Sequence, residues 1–235
     1  MDILRLFGIT RKYLVVVRVG DEQTLHPEWL QGHVQDRNWD LLVSYYGTDP
    51  DFDPGECDAF VRHQGQKWPA IQELYLQGML EHHDYVWFPD VDVRTTMRSI
   101  NLMFETCRLF DLDLAQPALS AHSYVSHDIT RHQPGTVLRF TNFVEMMMPV
   151  FSQRALRLCS ASFDAPGMAW GLDFVWPWLL KYPPRAIAIL DAIPMDHTRP
   201  QGSGYDMNQA LQDKWKLMHA YGIEERMEVF SSISY

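Results

Sequence analysis

The sequence is poor in cysteine. Its three cysteines, Cys57, Cys107 and Cys159, are odd in number and lie at wide, irregular spacing. A disulfide framework needs cysteines in pairs, and a zinc motif needs them at short spacing, so the set fits neither. We therefore expect a protein of a reducing compartment, and the cytoplasm is the simplest one.

Positive charge is also scarce. The 235 residues carry 20 Lys and Arg against 30 Asp and Glu, a formal net charge of −10. Binding to a nucleic-acid backbone depends on clustered Lys and Arg that displace counterions, so we expect no nucleic-acid partner. An enzyme acting on a phosphorylated donor can still be acidic if a metal and one or two cations lie at its site.

Long apolar runs are missing as well. The N-terminal apolar segments are a few residues long and are interrupted by Arg5, Arg11 and Lys12. They are too short for a membrane span, and no small-residue cleavage site follows them. We expect neither a transmembrane segment nor a signal peptide.

Three common catalytic signatures are absent, namely G-x-S-x-G, the P-loop and G-x-G-x-x-G. The sequence therefore contains no motif that would identify it as a serine hydrolase, an ATPase or a dinucleotide dehydrogenase. No ligand spacing typical of a helix or a zinc finger relates His82, His83, His122, His127 and His132, and we assign them no metal.

What the sequence does have is 46% hydrophobic residues, enough for one sizeable core. Short apolar runs at 13–17, 41–46, 84–88 and 186–190 predict buried strands. Amphipathic segments between them predict helices. This alternation predicts a single α/β domain over residues 1–235, with a mixed, mainly parallel central sheet flanked by helices, in the manner of Rossmann-like folds.

The predicted helices include a short crossover at 27–34 and a longer helix that starts at Lys67, with Pro69 in its first turn, and ends near His82 and His83. Four more are predicted at 97–107, 153–160, 171–180 and 206–220. Two short antiparallel strands, 136–140 and 143–148, are predicted in the second half of the chain, joined by residues 141–142.

The leading candidate for chemistry is Asp90-Val91-Asp92, directly after the predicted strand 84–88. Ligands of parallel α/β sheets bind beyond the carboxyl ends of the strands. Two carboxylates at i and i+2 there can reach one Mg²⁺ or Mn²⁺ ion, which prefers oxygen ligands and keeps substrate phosphates in its shell. The plainer alternative is a pair of solvated loop acids or a helix cap.

A second candidate is Trp170-Gly171-Leu172-Asp173, at the start of a predicted helix. A partly desolvated Asp173 beside an acceptor hydroxyl could act as a general base. The alternative is that Asp173 only caps or charges the first helical turn.

Charged residues elsewhere could meet a metal or phosphate. His197 follows the last predicted strand as a possible third metal ligand, and Arg199 is a cation for phosphate. Lys67 could meet a phosphate at the start of its helix. The alternative for each is an ordinary surface residue.

We expect a nucleotide to lie over the loop after the first strand, near 18–21, with 40–47 and Lys67 close by. The candidate donor-binding residues are Arg18, Gly20, Asp21, Tyr46, Lys67 and Asp90.

Six segments, taken in order, resemble a family of bacterial and plant domains of unknown function, whose plant members carry a label referring to lysine-ketoglutarate reductase splicing. The segments are KWPAIQELY, DYVWFPDVDV, LDLAQPALS, FVEMMMPVFS, AWGLDFVWPWLL and ILDAIPMDHTRP. The similarity spans residues 13–204, and AQPALS, VEMMMPVFS and AWGLD are its specific part. The family is similar in layout to glycosyltransferases of the GT-A fold.

This resemblance implies a metal role for Asp90 and Asp92, a late metal-ligand role for His197 and a base role for Asp173. The cofactor it implies is Mn²⁺ or Mg²⁺. The activity it implies is transfer of a sugar from a nucleotide-diphosphate sugar to a hydroxyl of a saccharide or other acceptor. Inversion is expected, because a single base without a nucleophile partner suffices for it.

On the acceptor side, the resemblance implies roles for Trp170 and Gly171. Where the GT-A enzymes have W-G-x-E-D, this chain has Leu172-Asp173, so one carboxylate is missing and Glu145 becomes a second candidate for the base. Two alternatives stay open: another metal-dependent nucleotidyl or phosphosugar transferase, and a non-catalytic carbohydrate-binding protein of the same fold.

Overall fold

The computed structural model describes residues 11–165, 167, 169–200 and 206–235. The strands are β1 (Tyr13–Val19), β2 (Trp39–Tyr45), β3 (Ala59–Arg62), β4 (Tyr85–Trp87), β5 (Val93–Arg94), β6 (Leu114–Leu119), β7 (Thr136–Thr141), β8 (Val150–Ser152), β9 (Ile187–His197) and β10 (Val229–Ser234). The α-helices are α1 (Lys67–Leu76), α2 (Met97–Leu109), α3 (Gln153–Cys159), α4 (Leu172–Leu179) and α5 (Met207–Tyr221).

The strands form one mixed sheet in the order β10-β7-β9-β6-β8-β4-β1-β2-β3, and β5 pairs with the end of β9. Pairing is parallel among β3, β2, β1 and β4 and between β6 and β9. β8 is antiparallel to both β4 and β6, and β7 is antiparallel to β9 and β10. The predicted mixed α/β sheet flanked by helices is confirmed.

β1 lies inside the sheet between β4 and β2, and every residue of this strand is buried. Tyr13, Val15 and Val17 pack on one face with residues of α2, while Leu14 and Val16 pack on the other face with residues of α1, α3 and α4. Alternate side chains of a strand point to opposite faces, so a continuous apolar run is what a strand covered on both faces requires. Helices on both faces leave the carboxyl edge of the sheet open.

The strands predicted near 13–17, 41–46, 84–88 and 186–190 are confirmed as β1, β2, β4 and β9, and β9 continues to His197. The helix that starts at Lys67 is confirmed, but it ends at Leu76, because Gly78 follows in a left-handed conformation at φ 76°. No described helix is both long and apolar enough to cross a membrane.

The predicted crossover helix at 27–34 is wrong. Two 3₁₀ helices, His26–Leu30 and Val34–Asp36, stand there instead. Gly32 between them has φ 138°, which is incompatible with a continuous helix.

The predicted strand at 143–148 is also wrong, and so is the hairpin that would join it to β7. This segment is a loop and turn whose backbone groups bond to residues of other segments: Glu145 N donates to Gln116 Oε1, and the Met147 carbonyl accepts from Asp90 N. With these groups engaged, no ladder forms. The next strand is β8, two residues further on.

Candidate functional site

A cleft of about 850 Å³ opens at the carboxyl ends of β1, β2 and β4. This volume lies in the range of small-molecule sites, and the location is the one where α/β sheets bind ligands. The predicted site residues that line it are Arg18, Tyr46, Lys67, Asp90, Asp92, Glu145, Trp170, Gly171, Asp173 and His197. Residues that are distant in sequence thus share one cavity.

Asp90 lines the cleft and is bound to Lys67. The Lys67 ammonium donates to Asp90 Oδ1 at 2.6 Å and to the carbonyl of Met147 at 2.9 Å. The Asp90 side chain keeps 42% exposure to the cleft. The protein around the Asp90 carboxyl raises its pKa, and the nearby Asp92 charge adds to this, while Lys67 opposes it. Asp90 therefore already has one cationic partner.

Asp92 pairs with His197, which β9 brings to β5 by antiparallel pairing. His197 Nε2 lies 3.2 Å from Asp92 Oδ2, and His197 Nδ1 lies 3.0 Å from the carbonyl of Tyr124. A carbonyl can only accept, so Nδ1 carries a proton and Nε2 is the atom that faces the carboxylate. Burial opposes the charged imidazole, but its hydrogen bonds to Asp92 and Tyr124 raise the pKa of His197 overall.

The predicted convergence of Asp90, Asp92 and His197 on one ion differs in part from the observed arrangement. Among the described residues, no three His, Cys, Asp or Glu side chains form a group that could hold an ion by themselves. Asp92 and His197 come together, whereas Asp90 is bound to Lys67.

The donor chemistry of Asp92 and His197 nevertheless fits a divalent cation. A metal-binding histidine commonly donates its second N–H to a carbonyl, as His197 does to Tyr124. Mg²⁺ sites commonly use one or two carboxylates, with substrate phosphates and waters completing the shell. Two protein ligands are therefore sufficient when a phosphorylated ligand is present.

Arg18 is a buried cation at the β1 end of the cleft. Its guanidinium donates to Ser44 Oγ at 2.9 Å and to the carbonyls of His63 at 2.7 Å and Gly65 at 2.6 Å. It pairs with no carboxylate in the described part of the chain, and burial lowers the pKa of Arg18 to about 10. Arg18 is therefore charged at neutral pH and places a positive charge at the wall of the cleft.

The Tyr46 ring lies beside Arg18, with the guanidinium carbon 5.2 Å from the ring centroid. A Cβ at Gly20 would lie 2.8 Å from this ring, so glycine permits the close approach. Gly20 itself lines a smaller, neighbouring cavity of about 290 Å³ together with Asp21. Both residues shape the loop after β1 and lie outside the main cleft lining.

Asp21 holds this loop against the next one. Its carboxylate accepts from the Tyr45 hydroxyl and from the backbone N–H of Thr48, the latter at 3.0 Å. Arg199 closes the same side of the cleft, where its guanidinium donates to Glu22 Oε2 at 3.2 Å and to the carbonyl of Gln23.

Asp173 also lines the cleft, in the first turn of α4. Gly171 precedes this helix at φ 102°, and a Cβ there would lie 3.2 Å from the Lys214 carbonyl on α5. Asp173 Oδ1 accepts from Met146 N. Burial raises the pKa of Asp173 to about 6, and the charge of His127 opposes the rise.

His127 and Glu145 line the cleft as well. His127 Nδ1 lies 2.7 Å from Glu145 Oε1, and the backbone N–H of Glu145 donates to Gln116 Oε1 at 2.5 Å. Glu145 Oε2 is buried and has no hydrogen-bond partner among the described residues. The sequence gives no spacing signal for His127, which reaches Glu145 through the fold alone.

No protein-family model matches the sequence, and no curated protein matches it. The resemblance to the family of unknown function therefore rests on the segments quoted above.

Solved structures do match the fold. TarS 1–349 from S. aureus is 10% identical, with a TM-score of 0.54 over 78% of this chain and 59% of that one. A further S. aureus TarS structure is 11% identical, with a TM-score of 0.53 over 78% of this chain and 36% of that one. A provisionally assigned nucleotide-diphospho-sugar transferase from Desulfovibrio desulfuricans G20 gives 13% identity and a TM-score of 0.43, too low to support an inference.

The chain spans about three-fifths of TarS 1–349 and about one-third of the further TarS structure. At these identities the likeness establishes the fold alone. The protein has a GT-A-like α/β fold, with a cleft of about 850 Å³ at the carboxyl edge of the sheet.

Proposed function

We propose that the protein is a metal-dependent glycosyltransferase that moves a sugar from a nucleotide-diphosphate sugar to an acceptor hydroxyl with inversion. The observation that carries this proposal is that one cleft holds both kinds of group the reaction needs. Arg18, Lys67 and the Asp92–His197 pair line it and form the proposed donor end, and the buried carboxylate of Asp173 lines it and forms the proposed acceptor end. The GT-A-like fold supports the same assignment.

The donor end suits a nucleotide diphosphate. Arg18 and Lys67 are cations that could meet phosphate oxygens, and the Tyr46 ring offers a flat surface for a base. An Mn²⁺ or Mg²⁺ ion held by Asp92 and His197 would neutralise the diphosphate leaving group. Asp90 is a further candidate ligand of the metal ion, but the metal ion would have to compete with Lys67 for this carboxylate.

The acceptor end suits proton removal. A carboxyl whose pKa lies near 6 is largely ionised at neutral pH and is more basic than an ordinary aspartate. Because Oδ1 of Asp173 accepts from Met146 N, we assign the proton to Oδ2. The acceptor oxygen would form a bond to the anomeric carbon of the donor sugar as the bond between that carbon and the diphosphate breaks. The proton of the acceptor hydroxyl would pass to Asp173.

The setting and partners of the reaction follow the sequence-based expectations. We propose a cytoplasmic location from the odd number and wide spacing of the cysteines, and an acceptor that is a saccharide or another hydroxyl compound. The number of domains stays a prediction.

The test is a thermal-shift screen of UDP, GDP and their sugars with and without MnCl₂, followed by calorimetry of the best ligand. A donor present at a hundred times its Kd should stabilise the fold by about 2.7 kcal/mol. Asp92→Ala should abolish the dependence of binding on MnCl₂, whereas Asp36→Ala, which removes an exposed carboxylate, should leave it unchanged.

The same experiments separate the alternatives. Binding of nucleotide without transfer to any acceptor, and with full tolerance of Asp173→Asn, would indicate a non-catalytic protein of this fold. The absence of any nucleotide-dependent stabilisation would contradict the proposal.

A further inference from the structure

Three charged residues from three separate segments meet at the acceptor end of the cleft. His127 precedes the 3₁₀ helix Asp128–Thr130, Glu145 lies in the loop between β7 and β8, and Asp173 lies in the first turn of α4. All three line the cleft. The glycosyl transfer proposed above needs one carboxylate, so the other two side chains require an explanation.

Glu145 fixes the imidazole of His127. The carboxylate Oε1 lies 2.7 Å from Nδ1 and can only accept, so Nδ1 carries a proton. The backbone N–H of Glu145 is bound by Gln116, and the Phe143 ring lies 4.8 Å from the imidazole centroid. Since the Glu145 side chain is 8% exposed and the His127 side chain 23% exposed, the imidazole is the part that faces the cleft.

Two lysines lie near His127 and Asp173, and each is paired with another carboxylate. Lys214 of α5 acts on His127, but its ammonium pairs with Glu225 at 2.8 Å. Lys67 donates to the carbonyl of Met146 at 3.2 Å, and Met146 N donates to Asp173 Oδ1, but the Lys67 ammonium pairs with Asp90 at 2.6 Å. The charges that act on Asp173 itself include those of Glu145 and His127.

Two carboxylates close together in a desolvated site cannot both stay ionised without a cation. Burial disfavours the ionised form of Asp173, and Glu145 adds repulsion, while the His127 charge opposes both. The hydrogen bond from Nδ1 to Glu145 raises the pKa of His127 against the effect of its own burial. The imidazolium is thus the form that this arrangement favours.

We infer that His127 is a positioning residue that serves, as an imidazolium held by Glu145, as the counter-ion that keeps the Asp173 carboxylate ionised. The role of Asp173 as a base rests on the proposed function, but the coupling between the two side chains does not. Glu145, the second candidate for the base, is on this account the residue that holds His127.

The coupling can be measured without a substrate. NMR of the protein with ¹³C-labelled aspartate carboxyls gives the titration midpoint of Asp173 directly. The signal of Asp173 is identified as the one that is missing in Asp173→Asn. In His127→Gln this midpoint should rise by about one pH unit or more, the usual effect of losing a nearby opposite charge. His127→Lys, which keeps a positive charge, should restore it in part, and His122→Gln, which alters an exposed imidazole elsewhere, should leave it unchanged.

The coupling between His127 and Asp173 can also be measured from the titration of His127. The imidazole midpoint of His127 should fall in Asp173→Asn by the amount that the Asp173 midpoint rises in His127→Gln, because coupling between two sites is reciprocal. If His127→Gln does not fold, the titration midpoint of His127 in Asp173→Asn still tests the coupling. An imidazole midpoint that stays within about 0.2 of the wild-type value in Asp173→Asn overturns the inference.

This failure is distinguishable from failure of the proposed function. Loss of the coupling with nucleotide binding intact would overturn the counter-ion role of His127 and leave the transferase proposal standing. Absence of nucleotide binding with the coupling intact would contradict the transferase and support the electrostatic pairing of His127 with Asp173.

Discussion

Replacing Asp173 by asparagine should make the protein more stable at neutral pH. Burial raises the pKa of Asp173 from 3.8 to about 6, so the folded state holds the proton more tightly than the unfolded state does. The stability that comes from this shift is fully present below pH 3.8 and is lost as pH rises through about 6. Above that pH the ionised carboxylate is a cost to the folded state.

The size of the cost follows from the shift. About two pH units at about 1.36 kcal/mol each give a cost of about 3 kcal/mol at pH 7.5. Asparagine removes the charge and keeps an oxygen that can accept from Met146 N, as Asp173 Oδ1 does. Asp173→Asn should therefore gain up to about 3 kcal/mol in the free energy of unfolding, while catalysis is lost, a common trade between stability and activity.

Urea unfolding at pH 7.5 and pH 4 measures this difference. The gain should be large at pH 7.5 and small near pH 4, where Asp173 is protonated in the folded wild-type protein. Asp36→Asn, in which an exposed carboxylate is replaced, should show no such pH-dependent gain. A variant that is less stable than the wild type at pH 7.5, or a gain that persists at pH 4, would refute the reasoning.

Three further substitutions test the frame of the cleft. Gly20→Ala puts a Cβ 2.8 Å from the Tyr46 ring, so the ring must shift and calorimetry should show weaker nucleotide binding; unchanged affinity would separate Tyr46 from the donor site. Asp191→Ala removes the carboxylate paired with the buried Arg139 at 2.8 Å and should cost about 3–5 kcal/mol in urea unfolding, and a cost below about 1 kcal/mol would contradict this. Lys67→Ala removes one cation from the donor end and should weaken nucleotide diphosphate binding about tenfold or more, with little effect on binding of the free nucleoside.

The parts of the fold that were predicted from sequence are those with local signals. β1 and β4 are apolar runs long enough to mark buried strands, and the helix α2 has its apolar side chains on one face with Thr96 as its N-cap. Asp90 and Asp92 are predictable as site residues because they follow such a strand, and the carboxyl edge of a sheet is where ligands bind. The cleft does lie at that edge.

Other strands lack a local signal. β6 contains Gln116 and Pro117 within a fully buried run, and proline is rare in central strands. β10 is mostly exposed, and β5 is two residues long. These strands form because neighbours pair with them, which short-range patterns do not report.

The cluster of His127, Glu145 and Asp173 shows the same limit. His127 and Glu145 are 18 residues apart, in loops on either side of β7, and Asp173 comes from a helix further on. Their proximity depends on the loop at 143–148, whose backbone binds Gln116 and Asp90 instead of forming a strand. A prediction that made this segment a strand could not bring the three side chains together.

The proposed function requires that a nucleotide diphosphate and a divalent cation bind together in the cleft. A crystal soaked with UDP or GDP and MnCl₂, with diffraction recorded at the manganese edge, locates both. We expect an anomalous peak within bonding distance of Asp92 and His197, with the diphosphate near Arg18 and Lys67. A manganese peak away from Asp92 and His197, or a nucleotide at the amino-terminal edge of the sheet, would contradict it.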